Sequence, residues 1–238
     1  MPRAALDRLA ARLRTPTLAL ALALAAAWLY AVASAPNDAV QGPIQKILYV
    51  HVPVAFAAYL GFLVTAIGGA LYLWRGDEQY DRLGISAAEV GVLFCTLVIV
   101  TGPIWARGTW GKWWSWDPRL TVTLLLWFIY LAYLLIRSFT EGSERGARFA
   151  AVYGIAGLAA IPLNYFAIDL FGSRAIHPEN LQRGSLGEGM GLPFGLGVIA
   201  AIAAFFHLLA RRLEVEALRQ ADAAFAAGAA PIRAGSAR

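Results

Sequence analysis

The sequence predicts an all-α, polytopic membrane protein with six transmembrane helices and both termini on the cytoplasmic side. Composition is the first observation. Of 238 residues, 59% are hydrophobic and only 15% charged, against about a quarter charged in soluble domains, and the mean hydropathy is +0.59. The second observation is where charge is missing. Residues 15–37, 47–74, 90–106, 120–136, 149–168 and 189–210 contain no Asp, Glu, Lys or Arg, and each run is close to the ~20 residues a helix needs to cross ~30 Å of hydrocarbon. The runs are continuously apolar and lack the period-2 alternation of a barrel wall. The third observation is the placement of basic residues. With the N-terminus inside, only Lys46, Arg107, Lys112, Arg119, Arg174 and Arg183 of the 20 Lys and Arg fall on the outer side, as the positive-inside rule requires. The net charge of +5 is therefore a topology signal, and nucleic acid drops out as a partner.

Taken in order, the first run is longer than the apolar core of a signal peptide and has no clear cleavage site after it, so it is read as the first span. The second run carries His51 near its outer end. The third carries the single cysteine, Cys95, whose position in mid-run reads as a buried apolar thiol and which allows no disulfide within the chain. The fourth span follows Asp117-Pro118, an N-cap with proline at the first helical position. The fifth contains Asn164, and the sixth ends on His207. The inner connectors, around 75–88 and 137–148, are short and polar. Residues 1–212 are thus expected to form a six-helix membrane domain. Residues 213–238 are expected to be a cytoplasmic tail that starts as a short polar helix, Leu213 to Gln220, and is loosely ordered beyond it. No internal repeat is visible, nor any pair of broken, inverted spans of the kind that builds a secondary transporter. The spans offer little ionisable chemistry, so the working residues are sought in the outer segments, at roughly 36–46, 106–119 and 169–189.

The second outer segment is the most unusual. Four of the eight tryptophans, Trp110, Trp113, Trp114 and Trp116, fall within seven residues together with Gly111 and Lys112. An interfacial aromatic belt accounts for Trp28, Tyr30, Trp74 and Trp105, but poorly for four indoles in one short loop. A dense aromatic shelf suits a large, flat, apolar ligand whose faces pack against rings. Asp117 reads first as the cap of the fourth span, near the positive end of the helix dipole. That role leaves the carboxylate able to position a neighbouring indole or Arg119 as well.

Two of the three histidines reach the same side as the shelf. His51, in Tyr49-Val50-His51-Val52-Pro53, lies roughly 8 Å below the outer boundary, counting from Lys46 at ~1.5 Å per residue. His177 lies in the third outer segment. His207 is at the opposite end and reads as a structural residue. Neutral imidazole is the commonest metal ligand, and a pair of imidazoles is a normal axial set for haem iron. A zinc site would need a third or fourth ligand, and no such cluster is visible. Haem joins the two observations, giving the indoles a macrocycle and the histidines an iron. Its propionates would also suit the cations Arg107, Lys112 and Arg119.

The stretch Trp110-Gly111-x-x-Trp114-x-Trp116-Asp117 resembles the "WWD" motif of haem-handling membrane proteins in cytochrome c biogenesis. With six spans, the continuation Asp117-Pro118-Arg119-Leu120-Thr121 and the segment around His51, the chain looks like a member of the CcmC family, haem exporter protein C. The likeness runs from about residue 36 to 210. It implies a protein of the cell inner membrane that holds haem b non-covalently at the periplasmic face. His51 and His177 would be the axial ligands, and Trp110, Gly111, Trp113, Trp114, Trp116, Asp117 and Arg119 would make up the cofactor-binding loop. It also implies delivery of that haem to the haem chaperone CcmE, beside CcmA, CcmB and CcmD of an ABC-type complex. The chain has no Gly-x-x-x-x-Gly-Lys-Ser/Thr loop, so the ATPase belongs to a partner and this chain is not expected to be an enzyme. The family often carries a Trp pair before its second histidine, where this chain offers Phe171. The competing reading is a membrane b-type cytochrome in quinol-linked electron transfer, which usually holds stacked haems between histidines deep in a bundle.

Overall fold

A computed structural model describes residues 3–140, 142–172, 176–178, 181–182 and 184–226. Most of the described residues are helical, with no strand among them. The helices are α1 (Arg3–Ser34), α2 (Leu48–Arg75, preceded by a 3-10 turn at Pro43–Ile47), α3 (Glu78–Trp110), α4 (Pro118–Phe139), α5 (Glu144–Gly157), α6 (Ala160–Tyr165), α7 (Ala167–Phe171) and α8 (Gly191–Ala226). Among the described residues six segments are long and apolar enough to cross a membrane, and they correspond to the six expected spans.

Where the elements differ from expectation, the local chemistry explains it. The first inner connector is only Gly76 and Asp77. Gly76 closes α2 at φ +68, a conformation glycine adopts without penalty, and the Asp77 carboxylate accepts from the Gln79 N–H to open α3. Helix α3 therefore starts well before the charge-free run does. It also runs to Trp110, so the first of the clustered indoles stands on a helix rather than in a loop. The fifth span is not one helix. Pro162 has no N–H for the carbonyl of Leu158, four residues earlier, and the chain breaks there into α5 and α6. At the other end, α8 passes Arg212 and continues to Ala226, beyond the short polar helix expected.

Helices α2 and α3 form the centre of the bundle. They meet backbone to backbone, since a Cβ added at Gly61 would lie 2.6 Å from the Gly91 Cα, and one at Gly68 would lie 2.8 Å from the Gly84 nitrogen. Small residues at helix crossings allow this approach in membrane bundles. Phe62 of α2 stacks on Tyr130 of α4 with ring centroids 3.8 Å apart, and Leu126, Phe205 and Cys95 complete the buried core. The thiol of Cys95 is buried and free, as expected. Helix α1 packs mainly against α8 on the outside, where the Thr17 hydroxyl lies 3.1 Å from His207 Nδ1. This is the structural role expected of His207. At that end of the bundle Arg137 pairs with Asp81 at 2.6 Å, and Arg212 pairs with Glu89.

Candidate functional site

At the opposite end, α2, α3 and α4 diverge around a cavity of about 350 Å³, within the ~300–1,000 Å³ common for small-molecule sites. It lies where the indole cluster and both outer histidines converge. His51 of α2, Trp110 of α3, and Trp114, Arg119 and His177 from the following segments all line it. Gly111, Trp113, Trp116 and Asp117 do not. Trp113 is 61% and Trp116 75% exposed. Trp116 stands edge-on to Trp114, with centroids 5.8 Å apart, and shares a separate surface notch with Pro118, Thr121, Val122 and Phe171. Phe171 is thus beside the outer indole and not in the cavity wall. The loop splits into an inner pair of indoles facing the cavity and an outer pair facing away.

Each element of the loop has a local cause. Gly111 ends α3 at φ +72, and Arg107 donates to its carbonyl. Asp117 caps α4, accepting from the backbone N–H groups of Arg119 at 2.9 Å and Leu120 at 3.4 Å. Its second oxygen accepts from the backbone N–H of Ile176 at 2.5 Å and of His177 at 3.1 Å. At 2% exposure, Asp117 therefore joins the start of α4 to the third outer segment and sets where His177 stands. Arg119 is engaged as well, donating to the carbonyls of Asn164 at 3.3 Å and Tyr165 at 2.6 Å. Lys112 is exposed at the loop surface.

The two histidines are held through their Nδ1 atoms. His177 Nδ1 lies 2.8 Å from the carbonyl oxygen of Pro178. A carbonyl can only accept, so the proton sits on Nδ1 and Nε2 carries a free lone pair. Burial holds this imidazole below its ordinary titration range, and the charge of Arg119 acts in the same direction, while the Pro178 carbonyl and Asp117 oppose them. Trp110 meets the His177 ring edge-on at 6.4 Å. His51 Nδ1 lies 2.8 Å from the Thr101 hydroxyl of α3, and Trp105 meets its ring edge-on at 5.8 Å.

Several lining residues were not picked out from the sequence. Trp105, assigned to the aromatic belt, lines the cavity, and its indole N–H donates to the Gln41 side chain at 2.8 Å. Trp28 also leaves the belt, packing in a buried cluster with Tyr49 and Met190. Trp74 and Tyr30 stay exposed, as belt residues would be. The polar floor of the cavity is a network. The Tyr59 hydroxyl donates to Asn164 Oδ1 at 2.5 Å, and Asn164 Nδ2 donates to the Arg119 carbonyl at 3.1 Å and the Thr123 hydroxyl at 2.8 Å. Nothing local in the sequence separates Trp105 from a belt tryptophan, because its facing of His51 is set by how α2 and α3 cross.

The donor set suits a haem better than a bare metal ion. Among the described residues no cluster of three His, Cys, Asp or Glu could hold a metal. The cavity instead offers imidazoles from two separate segments, apolar walls and aromatic edges. Among the same residues the buried Trp114 Nε1 has no hydrogen-bond partner, a donor available to a polar group of a ligand.

Comparison with known proteins shows the family. Residues 2–227 match the family described as "Heme exporter protein C". The chain is 30% identical over 194 residues to a protein of that name from Haemophilus influenzae, covering 81% of this chain and 79% of the other. It is 33% identical to the Bradyrhizobium diazoefficiens protein of the same name, covering 79% and 73%. It is also 32% identical to a "Putative cytochrome c biosynthesis ccmC-like mitochondrial protein" of Marchantia polymorpha, covering 73% and 72%. The chain, with six apolar helices among its described residues and an aromatic cavity at one end lined by two histidines, belongs to the haem exporter protein C family.

Proposed function

We propose that this protein binds haem b non-covalently in the cavity at the periplasmic face of the inner membrane and presents it to the haem chaperone CcmE during cytochrome c maturation. Both termini are cytoplasmic in this reading, and CcmA, CcmB and CcmD are the companions, with the ATPase on a partner. One observation carries the reading: His51 and His177 come from separate segments to the wall of one cavity that Trp110 and Trp114 also line. His51 and His177 would hold the haem iron through their imidazoles. Trp110 and Trp114 would pack against the macrocycle. Asp117 acts through His177 as a positioning residue, and Gly111 lets the loop leave α3. Trp113 and Trp116 face outward, where an acceptor would meet them. Arg119 contributes through the cavity floor, with part of its guanidinium held by backbone carbonyls.

The test is spectroscopy of the protein purified from haem-replete cells. Wild type is expected to carry haem with a low-spin spectrum. His51→Ala and His177→Ala are each expected to lose that signature, and His207→Ala to keep it. An intact, haem-free wild type, or low-spin haem in both cavity variants, would overturn the proposal. Reduction of the bound haem by a quinol analogue at a catalytic rate would favour the electron-transfer reading instead.

A further inference from the structure

We propose that α3 carries a clasp for His51, in which the Thr101 hydroxyl selects Nε2 as the atom offered to the cavity and Gly102 provides the clearance the ring needs. The inference rests on His51 being an iron ligand and adds what makes that imidazole competent to be one.

The assignment follows from counting protons. The Thr101 hydroxyl has one proton to give. It lies 2.7 Å from the carbonyl of Leu97, one turn back on the same helix, and 3.5 Å from that of Val98. Both are acceptors only, and back-bonding to the i−4 carbonyl is the usual state of a threonine within a helix. The proton therefore points along α3, and the oxygen's lone pairs face His51 Nδ1 at 2.8 Å. Had Nδ1 carried a lone pair as well, two acceptors would meet at that distance. With the hydroxyl proton on the Leu97 carbonyl, His51 donates from Nδ1 and Nε2 is left with the free lone pair. The opposite tautomer would place an N–H where a ligand atom is needed, and an N–H cannot bind a metal. His177 reaches the same tautomer through the carbonyl of Pro178. Both imidazoles thus offer Nε2 by independent devices.

The rest of the clasp is steric. A Cβ at residue 102 would stand 3.2 Å from His51 Cε1, tighter than ordinary contact and on the ring carbon next to Nε2. Glycine is what keeps the ring in place beside α3. Trp105, one turn on, closes the edge of the imidazole and is itself held by Gln41 of the first outer segment. Thr101 and Gly102 are positioning residues, since they act through His51. Partners of this kind commonly change metal affinity 10–100-fold when removed.

The experiment titrates haem into haem-free detergent-solubilised protein and records the electron paramagnetic resonance of the ferric complex. Wild type, Thr101→Val, Thr101→Ser, Gly102→Ala and His51→Ala are compared. Thr101→Val keeps the shape and removes the acceptor. It is expected to weaken haem binding about 10–100-fold and to shift or broaden the low-spin signal, while Thr101→Ser restores both. Gly102→Ala is expected to displace the low-spin signal through the ring. Wild-type affinity and wild-type signal in both Thr101→Val and Gly102→Ala would overturn the clasp. A low-spin signal surviving in His51→Ala would instead overturn the underlying ligand assignment, so the two failures are distinct. If Thr101→Val does not accumulate, Thr101→Ala against Thr101→Ser decides: unequal haem affinities support the clasp and equal ones refute it.

Discussion

Replacing Asp117 by Asn isolates the most consequential contact at the site. The carboxylate makes two sets of bonds with its two oxygens. One caps α4 through Arg119 and Leu120, and the other receives the backbone N–H groups of Ile176 and His177. Asparagine is as good an N-cap as aspartate, so α4 keeps its start if the amide oxygen takes that side. The amide nitrogen then faces two N–H donors and can accept from neither. Hydrogen bonds to a charged group are worth ~1.5–3 kcal/mol each, so losing two costs about 3–6 kcal/mol of anchoring. The freed N–H groups regain water, because Ile176 is exposed and His177 only half-buried, which favours the lower end. About 3 kcal/mol is roughly a hundredfold in the equilibrium that holds His177 at the cavity. Haem affinity of Asp117→Asn, by titration into haem-free protein, is therefore expected to fall about a hundredfold. The ferric spectrum should move from low spin toward high spin, and added imidazole should restore low spin by replacing the missing ligand. Thermal unfolding of the haem-free variant should stay cooperative, with Tm lowered by no more than this local loss implies. Wild-type affinity with an unchanged low-spin spectrum would refute the claim that Asp117 places His177.

The indole loop should divide by function: Trp110→Ala and Trp114→Ala lower haem occupancy, whereas Trp113→Ala and Trp116→Ala keep the occupancy and lower transfer to CcmE, measured as holo-chaperone formed. Equal effects on occupancy from all four would contradict the inward and outward division. Asn164→Leu strands the Tyr59 hydroxyl and the Thr123 hydroxyl side of the floor network, and is expected to cost about 1–3 kcal/mol, read as a lowered Tm; adding Tyr59→Phe should recover part of the loss. Gly61→Ala forces a methyl to within 2.6 Å of the Gly91 backbone and should destabilise the bundle by about 1–3 kcal/mol or more. Gly195→Ala, with nothing within 4 Å, is the control and should leave Tm unchanged or raise it.

The six spans were legible because lipid imposes a length and an apolarity that a run of residues either has or lacks. The cap at Asp117-Pro118 was legible too, since capping depends on neighbours a few residues apart. The break of the fifth span was not read from its charge-free run, although Pro162 is its local cause. The site was legible as a set of candidates and illegible as an arrangement. Trp105 was indistinguishable from a belt tryptophan, and Thr101 and Gly102 looked like ordinary small residues of an apolar span. Trp116 belongs to the same short run as Trp114, yet it faces the other way. Asp117 was legible as a cap, but its bonds to residues 59 and 60 positions away were not.

By itself the sequence determined what lies along the chain: hydrophobic length, the direction its arginines imply, helix starts and stops, and an inventory of indoles and imidazoles. The tertiary structure decided which of them share a cavity. Hydropathy and capping are set within one or a few helical turns, so a linear reading captures them. The direction a side chain faces depends on how α2, α3 and α4 cross, and those crossings are set by contacts such as Gly61 on Gly91 between residues 30 positions apart. The hydrogen bonds of His51 and His177 follow from those crossings and from Asp117, which is why the ligands could be named early while their orientation could not.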